Sequence, residues 1–494
     1  MKKAHRIAAL IALPAVTLVL FGGGRWFQRE AGGAAPLTYD PIHESTAFDG
    51  WLPPNQGRRI GSLRGRAKRW WVFCWDGASW DLLVPLLEAG RLPNLSRLIQ
   101  TGSAGNLYTI KPTFSPVVWT TIATGATPAR HGILDFVRRP EGIRKALKRL
   151  NDGERRRLHF YSNSDRRVRA LWNVLSDRKQ PVMVVGYHNT YPAERVKGVM
   201  VSSYLVRRHS LEAFGHDVEP MGAMAYPPSL VRRLAEFDHP LQKLTLEEMR
   251  RFADIYPDEF AVLMSRMASR ADADAPSVVR WQYLCRAYAN DQFHAELALR
   301  LLPRVQPDLM MLHFQSVDWA THEFLEFHQP DRHVGSPRGH GGTRRYAGTV
   351  SAFYQYVDEW LGRFLAERDE DTGVVVLSDH GFEHELDDEG RGQHSGAPPG
   401  ILVLQGPGVR PGYRIDDATV YDIFPTLAAS YGLPVSRELR GRVLADAFGS
   451  EAFDRSPPTI ASYDVSDRFQ PDVSLSDALE GELETDLRSL GYLQ

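Results

Sequence analysis

Four segments of this chain hold hydroxyl, carboxylate and imidazole groups in arrangements that chemistry can use. Asp318 and His322 are four residues apart, which puts both side chains on one face of a helical turn. Metal-chelating pairs have this spacing, and so do ordinary surface pairs. Asp379 and His380 are adjacent in Ser378-Asp379-His380-Gly381, after an apolar run where unpartnered burial would be costly; the plainer alternative is a turn. His394 comes next in GQHSGAPPG, with His384, His328, His333 and His340 as competitors for its role. Asp76-Gly77 closes another apolar run and is also a common turn pair. Ser115-Pro116 has the form of an N-cap followed by proline at the first helical position, with a helix to Thr124 and Gly125 as its C′ residue. At such a terminus the open amides and the helix dipole favour an anion such as phosphate. The serine hydroxyl is barely ionised near neutral pH and needs a metal ion or a base before it can attack.

Asp76, Ser115, Asp318, His322, Asp379, His380 and His394 are therefore the candidate site residues. They are hard or borderline ligands without a thiolate, a set that suits zinc or manganese. Two such ions ~3.5–4 Å apart can clamp the attacking and leaving oxygens of a phosphoryl group. The two cysteines, Cys74 and Cys285, form no C-x-x-C pair, which argues against a thiolate zinc site and excludes a disulfide scaffold. G-x-S-x-G, the P-loop and G-x-G-x-x-G are all absent.

Five apolar runs supply the elements that would position these residues: WWVFCWD (70–76), PVMVVGY (181–187), DLMMLHF (308–314), GVVVLSD (373–379) and ILVL (401–404). They are continuous rather than alternating, as in strands buried on both faces. Helix-like stretches at 91–100, 116–124, 166–178 and 277–302 lie between them. The alternation predicts an α/β fold, a mostly parallel central sheet sandwiched by helices. Asp76, Asp318 and Asp379 end or closely follow three of the strands, and in open α/β sheets sites gather at the carboxyl ends of strands.

Residues 206–275 break the alternation and read as a helical insertion capping the site, without a strand. The 494 residues divide into a basic and apolar leader at 1–30, a Gly/Pro/Arg-rich linker at 31–66, a catalytic domain at 67–449 and a polar tail at 450–494. Lys2, Lys3 and Arg6 precede the uncharged run Ile7 to Gly24. That run is short against the ~20 residues of a spanning helix, so the leader reads as a signal peptide or a membrane anchor, either of which puts the domain outside the cytoplasm. A net charge of -1 argues against a nucleic-acid binder that relies on a strongly basic surface, although local basic clusters exist.

In order and spacing, residues 69–445 resemble the alkaline phosphatase superfamily, in its type I phosphodiesterase and nucleotide pyrophosphatase branch. The resemblance is carried by the Asp-Gly after the first strand, SPVVWTTIATGATPARHGILDF, LWNVL, DLMMLHFQSVDWATH, SDHGF, His394 with GILVLQGPGV, and VYDIFPTLAASYGLPV. It implies an alkaline phosphatase-like fold, a phosphate-ester substrate, a phosphoseryl intermediate and two divalent metal ions. It also implies that Asp76, Ser115, Asp379 and His380 hold the metal that activates the nucleophile, and that Asp318, His322 and His394 hold the second. Counting back from Thr124-Gly125 selects Ser115 over Thr113 as nucleophile. Two features depart from the pattern: Leu134, Asp135 and Phe136 stand where nucleotide pyrophosphatases carry a phosphate-binding asparagine, and Pro116 has no N–H to offer. The sulfatase signature is missing. An envelope phospho-group transferase and a catalytically silent metal-binding protein of the same fold are the alternatives.

Overall fold

A computed structural model describes residues 67–138, 159–205, 223–234, 241, 244–269, 276–329, 343–449, 452, 458–464, 483 and 485. The expected leader and linker lie outside these residues. Among the described residues no helix is long and apolar enough to cross a membrane.

In chain order the strands are β1 (Arg69–Trp75), β2 (Ser103–Tyr108), β3 (Val137–Arg138), β4 (His159–Phe160), β5 (Val182–Val185), β6 (Gly198–Val201), β7 (Ala225–Tyr226), β8 (Leu309–Phe314), β9 (Thr372–Leu377), β10 (Gly400–Gln405), β11 (Tyr413–Thr419), β12 (Val435–Ser436) and β13 (Thr459–Ile460). Nine of them form one sheet in the order β11-β2-β10-β9-β1-β8-β5-β6-β7. β9, β1, β8, β5 and β6 are parallel neighbours, while β10 and the edge strand β7 run against them. The sheet is thus mixed α/β and mostly parallel, as its apolar runs predict.

β1 divides the interior into two cores, because successive side chains of a strand point to opposite faces. Trp71, Phe73 and Trp75 pack on one face with the helices Pro276–Val305, Ser316–His328 and Thr349–Ala366. Trp70, Val72 and Cys74 pack on the other with the helices Ser115–Thr124, Leu171–Asp177 and Ile423–Ser430. Burial on both faces explains why these strands are apolar without alternation.

The structure corrects three sequence expectations. Ala225–Tyr226 is a strand inside the expected all-helical insertion, paired antiparallel to β6. Among its described residues the insertion is helical at Pro228–Leu234, Leu246–Arg250 and Pro257–Ser269, and these pack onto the first core, where Phe252 stacks on Phe353 at 4.2 Å. The chain past 450 returns to the domain, because β13 pairs with β12 and Leu483 is buried in the first core. Phe114, not Ser115, is the N-cap of the helix Ser115–Thr124. The Phe114 carbonyl already accepts from Val117 and Val118 N–H, which makes Ser115 the first helical residue and leaves its hydroxyl uncommitted to capping.

β2, β6 and β11 were not visible as apolar runs. β2 reads SAGNLY and is small and polar, yet wholly buried, because it is an inner strand between β10 and β11.

The helix Ser316–His328, which carries Asp318 and His322, is anchored from outside itself. The Asp291 carboxylate accepts from Gln315 N–H at 2.9 Å and Ser316 N–H at 2.9 Å, two donors with no partner inside the helix. Burial pushes the Asp291 carboxyl up to about 6 although these amides favour its ionised form. Asp291→Ala should cost about 1–3 kcal/mol in urea unfolding, because it leaves buried donors unsatisfied. The folded chain holds the Asp291 proton to about pH 6, whereas the unfolded chain releases it near 3.8. Its contribution to stability therefore falls as pH rises through that window and is flat above it. The stability difference between wild type and Asp291→Asn should change across the window and nowhere higher.

Candidate active site

The site lies at the carboxyl edge of the sheet. β1, β8 and β9 are parallel neighbours, so the residues just beyond their carboxyl ends emerge side by side: Asp76 after β1, Asp318 after β8, Asp379 after β9. β10 is antiparallel to β9, so the residues before it, including His394, sit at the same edge. The loop after β2 delivers Ser115.

Gly77 makes the convergence sterically feasible. Its φ of +66° is a left-handed conformation that glycine adopts freely. A Cβ there would sit 2.6 Å from Phe382 and 2.9 Å from Asp318 Oδ1. Its N–H donates to Asp379 Oδ1 at 3.2 Å. The Asp-Gly pair is a turn, and the helix Ser316–His328 and the segment after β9 both pack against it.

All seven predicted residues come together. Ser115 Oγ lies 3.5 Å from Asp76 Oδ1 and 3.4 Å from His380 Nε2. His380 Nε2 is 3.3 Å from Asp379 Oδ2, and His322 Nε2 is 3.6 Å from Asp318 Oδ1. The rings of His380 and His394 stack at 3.8 Å, and those of His322 and His394 meet edge-on at 5.0 Å. Of the competing histidines, His384 is largely exposed beside Asp81; His333 and His340 lie outside the described residues. Thr113, the other hydroxyl near the expected nucleophile, is committed to His394.

Trp119 sets the rotation of the serine helix. It is one turn beyond Ser115, and its indole N–H donates to Asp76 Oδ2 at 3.2 Å. Residues i and i+4 share a helix face, so this bond turns Ser115 toward the same carboxylate. Val117 N–H is bonded to Phe114 and Pro116 has none, so Ser115 N–H is the donor that this terminus can still offer an anion.

The imidazoles are each held through Nδ1. His322 Nδ1 faces the Gly392 carbonyl at 2.7 Å, and His380 Nδ1 faces the Gly381 carbonyl at 3.0 Å. A carbonyl only accepts, so both rings carry their proton on Nδ1 and present a lone pair at Nε2. His394 is set by a relay. The Thr113 hydroxyl donates to the His394 carbonyl at 2.7 Å, so the same oxygen accepts from His394 Nδ1 at 3.1 Å. Burial keeps these rings neutral, bringing the pKa of His322 down to about 3 and lowering those of His380 and His394.

The carboxylates are buried with little to compensate their charge. Asp76, Asp318 and Asp379 are at most 4% exposed. Asp318 Oδ1 and Asp379 Oδ2 accept no hydrogen bond among the described residues. Burial, and then the charge of Asp76, hold the Asp318 and Asp379 carboxyls well above the usual range. Burial acts on Asp76 in the same direction, but His188 and His313 beside it hold its carboxyl well below that range. A divalent ion among the three would favour all the ionised forms. Asp318, His322 and His394 offer ligand atoms within 4.8 Å of one another, as do Asp76, Asp318 and His380. Orphaned carboxylate oxygens opposite imidazole lone pairs fit a metal centre.

Sequence reasoning missed His188 and His313, whose Nε2 atoms lie 3.1 Å and 3.2 Å from Asp76 Oδ2. The signal for His313 was a lone imidazole inside the apolar run of β8. Thr113 and Asp291 were also missed as supports, because the atoms they hold come from distant segments.

Residues 71–401, more than half of the chain, match the family profile of type I phosphodiesterases / nucleotide pyrophosphatases. Among solved structures the chain resembles wild-type alkaline phosphatase PafA, at 12% identity and a TM-score of 0.48, covering 78% of this chain and 100% of that one. It also resembles the phosphonate monoester hydrolase SpPMH from Silicibacter pomeroyi, at 15% identity and a TM-score of 0.43, covering 77% of each chain. Murine ectonucleotide pyrophosphatase / phosphodiesterase 5 aligns at 10% identity and a TM-score of 0.41, covering 77% of this chain and 100% of that one. No curated protein matches the sequence significantly.

The hydroxyl relay gives a test. Thr113→Val removes the acceptor that fixes the His394 proton and should weaken zinc binding about 10–100-fold, the usual effect of losing such a support. Thr113→Ser should retain most of the affinity. Chelator competition reads both, and equal affinity in all three proteins would show that the relay is irrelevant to binding.

Proposed function

The chain belongs to the type I phosphodiesterase / nucleotide pyrophosphatase family, and from that premise we propose that it is a metal-dependent phosphoric ester hydrolase that acts on phosphodiesters through a phosphoseryl intermediate. One observation carries the reading: a buried serine hydroxyl lies within 3.5 Å of both a carboxylate and an imidazole in a cluster of metal-type ligands.

Asp76, Ser115, Asp379 and His380 would hold one divalent ion, and Asp318, His322 and His394 a second, with Zn2+ or Mn2+ suited to these ligands. When bound, the pair lowers the pKa of the serine hydroxyl and neutralises charge on the attacking and leaving oxygens. The chain's own groups do the rest. Trp119 and Asp76 aim Ser115 Oγ at phosphorus, and Ser115 N–H faces a phosphoryl oxygen. Attack forms the Ser115–phosphorus ester and expels the alcohol. Water then cleaves that ester, returns the serine and releases the phosphomonoester. Burial keeps competing water from the nucleophile and strengthens each of these electrostatic contacts. The insertion at 206–275 is proposed to select the leaving group, and the basic and apolar leader to hold the domain at the outer side of a membrane.

Ser115→Ala is expected to lower kcat on a chromogenic phosphodiester to background while the metal content stays at the wild-type level. Wild-type turnover in that variant would remove Ser115 as nucleophile. Exhaustive chelation should silence the wild type, with recovery on adding Zn2+ or Mn2+; activity that survives chelation would refute the metal requirement. Product analysis completes the test: free alcohol and phosphomonoester mean hydrolysis, and a modified acceptor means phospho-group transfer.

A further inference from the structure

The helix that carries Ser115 is gripped from a second side by the loop after β5. The Tyr187 hydroxyl donates to the Trp119 carbonyl at 2.8 Å. Two residues on, the Asn189 side-chain amide donates to the Pro116 carbonyl at 3.0 Å and to Thr120 Oγ1 at 3.1 Å. Between them, His188 Nε2 lies 3.1 Å from Asp76 Oδ2. Three consecutive residues thus touch both the serine helix and the carboxylate that the serine faces. Pro116, Trp119 and Thr120 are spaced i, i+3 and i+4, so the loop holds one face of the helix. That grip begins at the residue next to the serine.

Asn189 is the tie nearest Ser115, and it is buried at 7% exposure. Its partners fix which way the amide points. Turned over, Oδ1 would face the Pro116 carbonyl oxygen, and two acceptors repel. The Thr120 hydroxyl already donates to the Pro116 carbonyl at 2.7 Å, so toward Asn189 it can only accept. Both partners therefore require the N–H side of the amide. The backbone of Asn189 is left-handed, with φ at +53°, a conformation that glycine adopts freely and asparagine tolerates. Glycine would meet the backbone requirement alone, and only the amide can make the bonds to the serine helix. The bond from Trp119 to Asp76 sets the rotation of that helix, but a single bond lets the helix tilt about it. Asn189 holds the first turn at a separate point.

We propose that Asn189 is a positioning residue for Ser115. Through the Pro116 carbonyl and Thr120 Oγ1 it fixes the first turn of the serine helix relative to Asp76, and so sets the line along which Ser115 Oγ approaches phosphorus. This role rests on the reading of Ser115 as nucleophile.

Steady-state kinetics of the metal-replete full chain on a chromogenic phosphodiester test it, with Asn189→Gly, Asn189→Asp and Ser115→Ala beside the wild type and circular dichroism melts to check folding. Asn189→Gly suits the left-handed backbone and lacks the amide. It should lower kcat about 10–100-fold and leave KM within about twofold, the pattern of a misaligned nucleophile with substrate binding intact. Asn189→Asp keeps the size and loses the donors, and it should show the same split. A merely structural role would shift the melting temperature and leave kcat of the folded enzyme unchanged. Wild-type kcat in folded Asn189→Gly, or a change confined to KM, overturns the proposal, and a silent Ser115→Ala alongside leaves the hydrolase reading standing. Turnover at the wild-type level in Ser115→Ala, or none in the wild type, overturns that reading and the role of Asn189 with it. If Asn189→Gly does not fold, Asn189→Asp decides by the same readout.

Discussion

Three carboxylates, Asp76, Asp318 and Asp379, are buried at one edge of a sheet with too few hydrogen-bond donors to compensate them. At an effective dielectric of about 20, two unit charges as close as the 4.8 Å limit that spans Asp76 and Asp318 repel by roughly 3–4 kcal/mol, in addition to the desolvation of each ion. A fold carries that burden when cations relieve it. Much of the local structure serves this end: the glycine that lets Asp318 approach β1, the imidazoles that present lone pairs, and the serine that faces the same charges.

The scaffold meets this demand by dividing the work between the two faces of the sheet. The face with Trp71, Phe73 and Trp75 supports the helix bearing Asp318 and His322, and the opposite face supports the helix bearing Ser115. β1 and β9 run between them and supply Asp76 and Asp379. Each of these helices is anchored by an atom of another element: Asp291 caps the first, and Asp76 accepts from Trp119 in the second. Gly392 shows how tight the assembly is. Its carbonyl holds His322 Nδ1, and a Cβ there would come within 2.6 Å of the Thr321 carbonyl. Precision at the serine therefore comes from packing and second-layer hydrogen bonds more than from the ligands themselves.

Family membership and substrate are separate matters on such a scaffold. In the proposed reading the buried cluster meets the phosphoryl group, which every phosphoric ester presents in similar form. The leaving group meets other surfaces. Leu134 is 40% exposed in the segment where the resemblance leads one to expect a phosphate-binding asparagine. A function lives in its site and not in its fold.

The sequence by itself indicated five strands of the central sheet and the candidate site residues, because both leave local traces. Strands that bury large side chains on both faces are continuously apolar, and β1, β5, β8, β9 and β10 were legible for that reason. Asp318 and His322 were legible by their helical spacing, and Asp379-His380 by their place after a buried strand. The order of the motifs was enough to connect them. What only the tertiary structure decided depends on contacts between segments far apart in the chain. β2 is buried because of its position in the sheet and not because of its composition. Ser115 is the first helical residue because the Phe114 carbonyl takes the first helical bonds. Thr113 is a support for His394 because the loop before β10 folds back on it. His188 and His313 join Asp76 because β5 and β8 are neighbours. Sequence records what a residue is and how it is spaced from others nearby, and it carries no direct trace of which distant atom completes its hydrogen bonds or shares its charge.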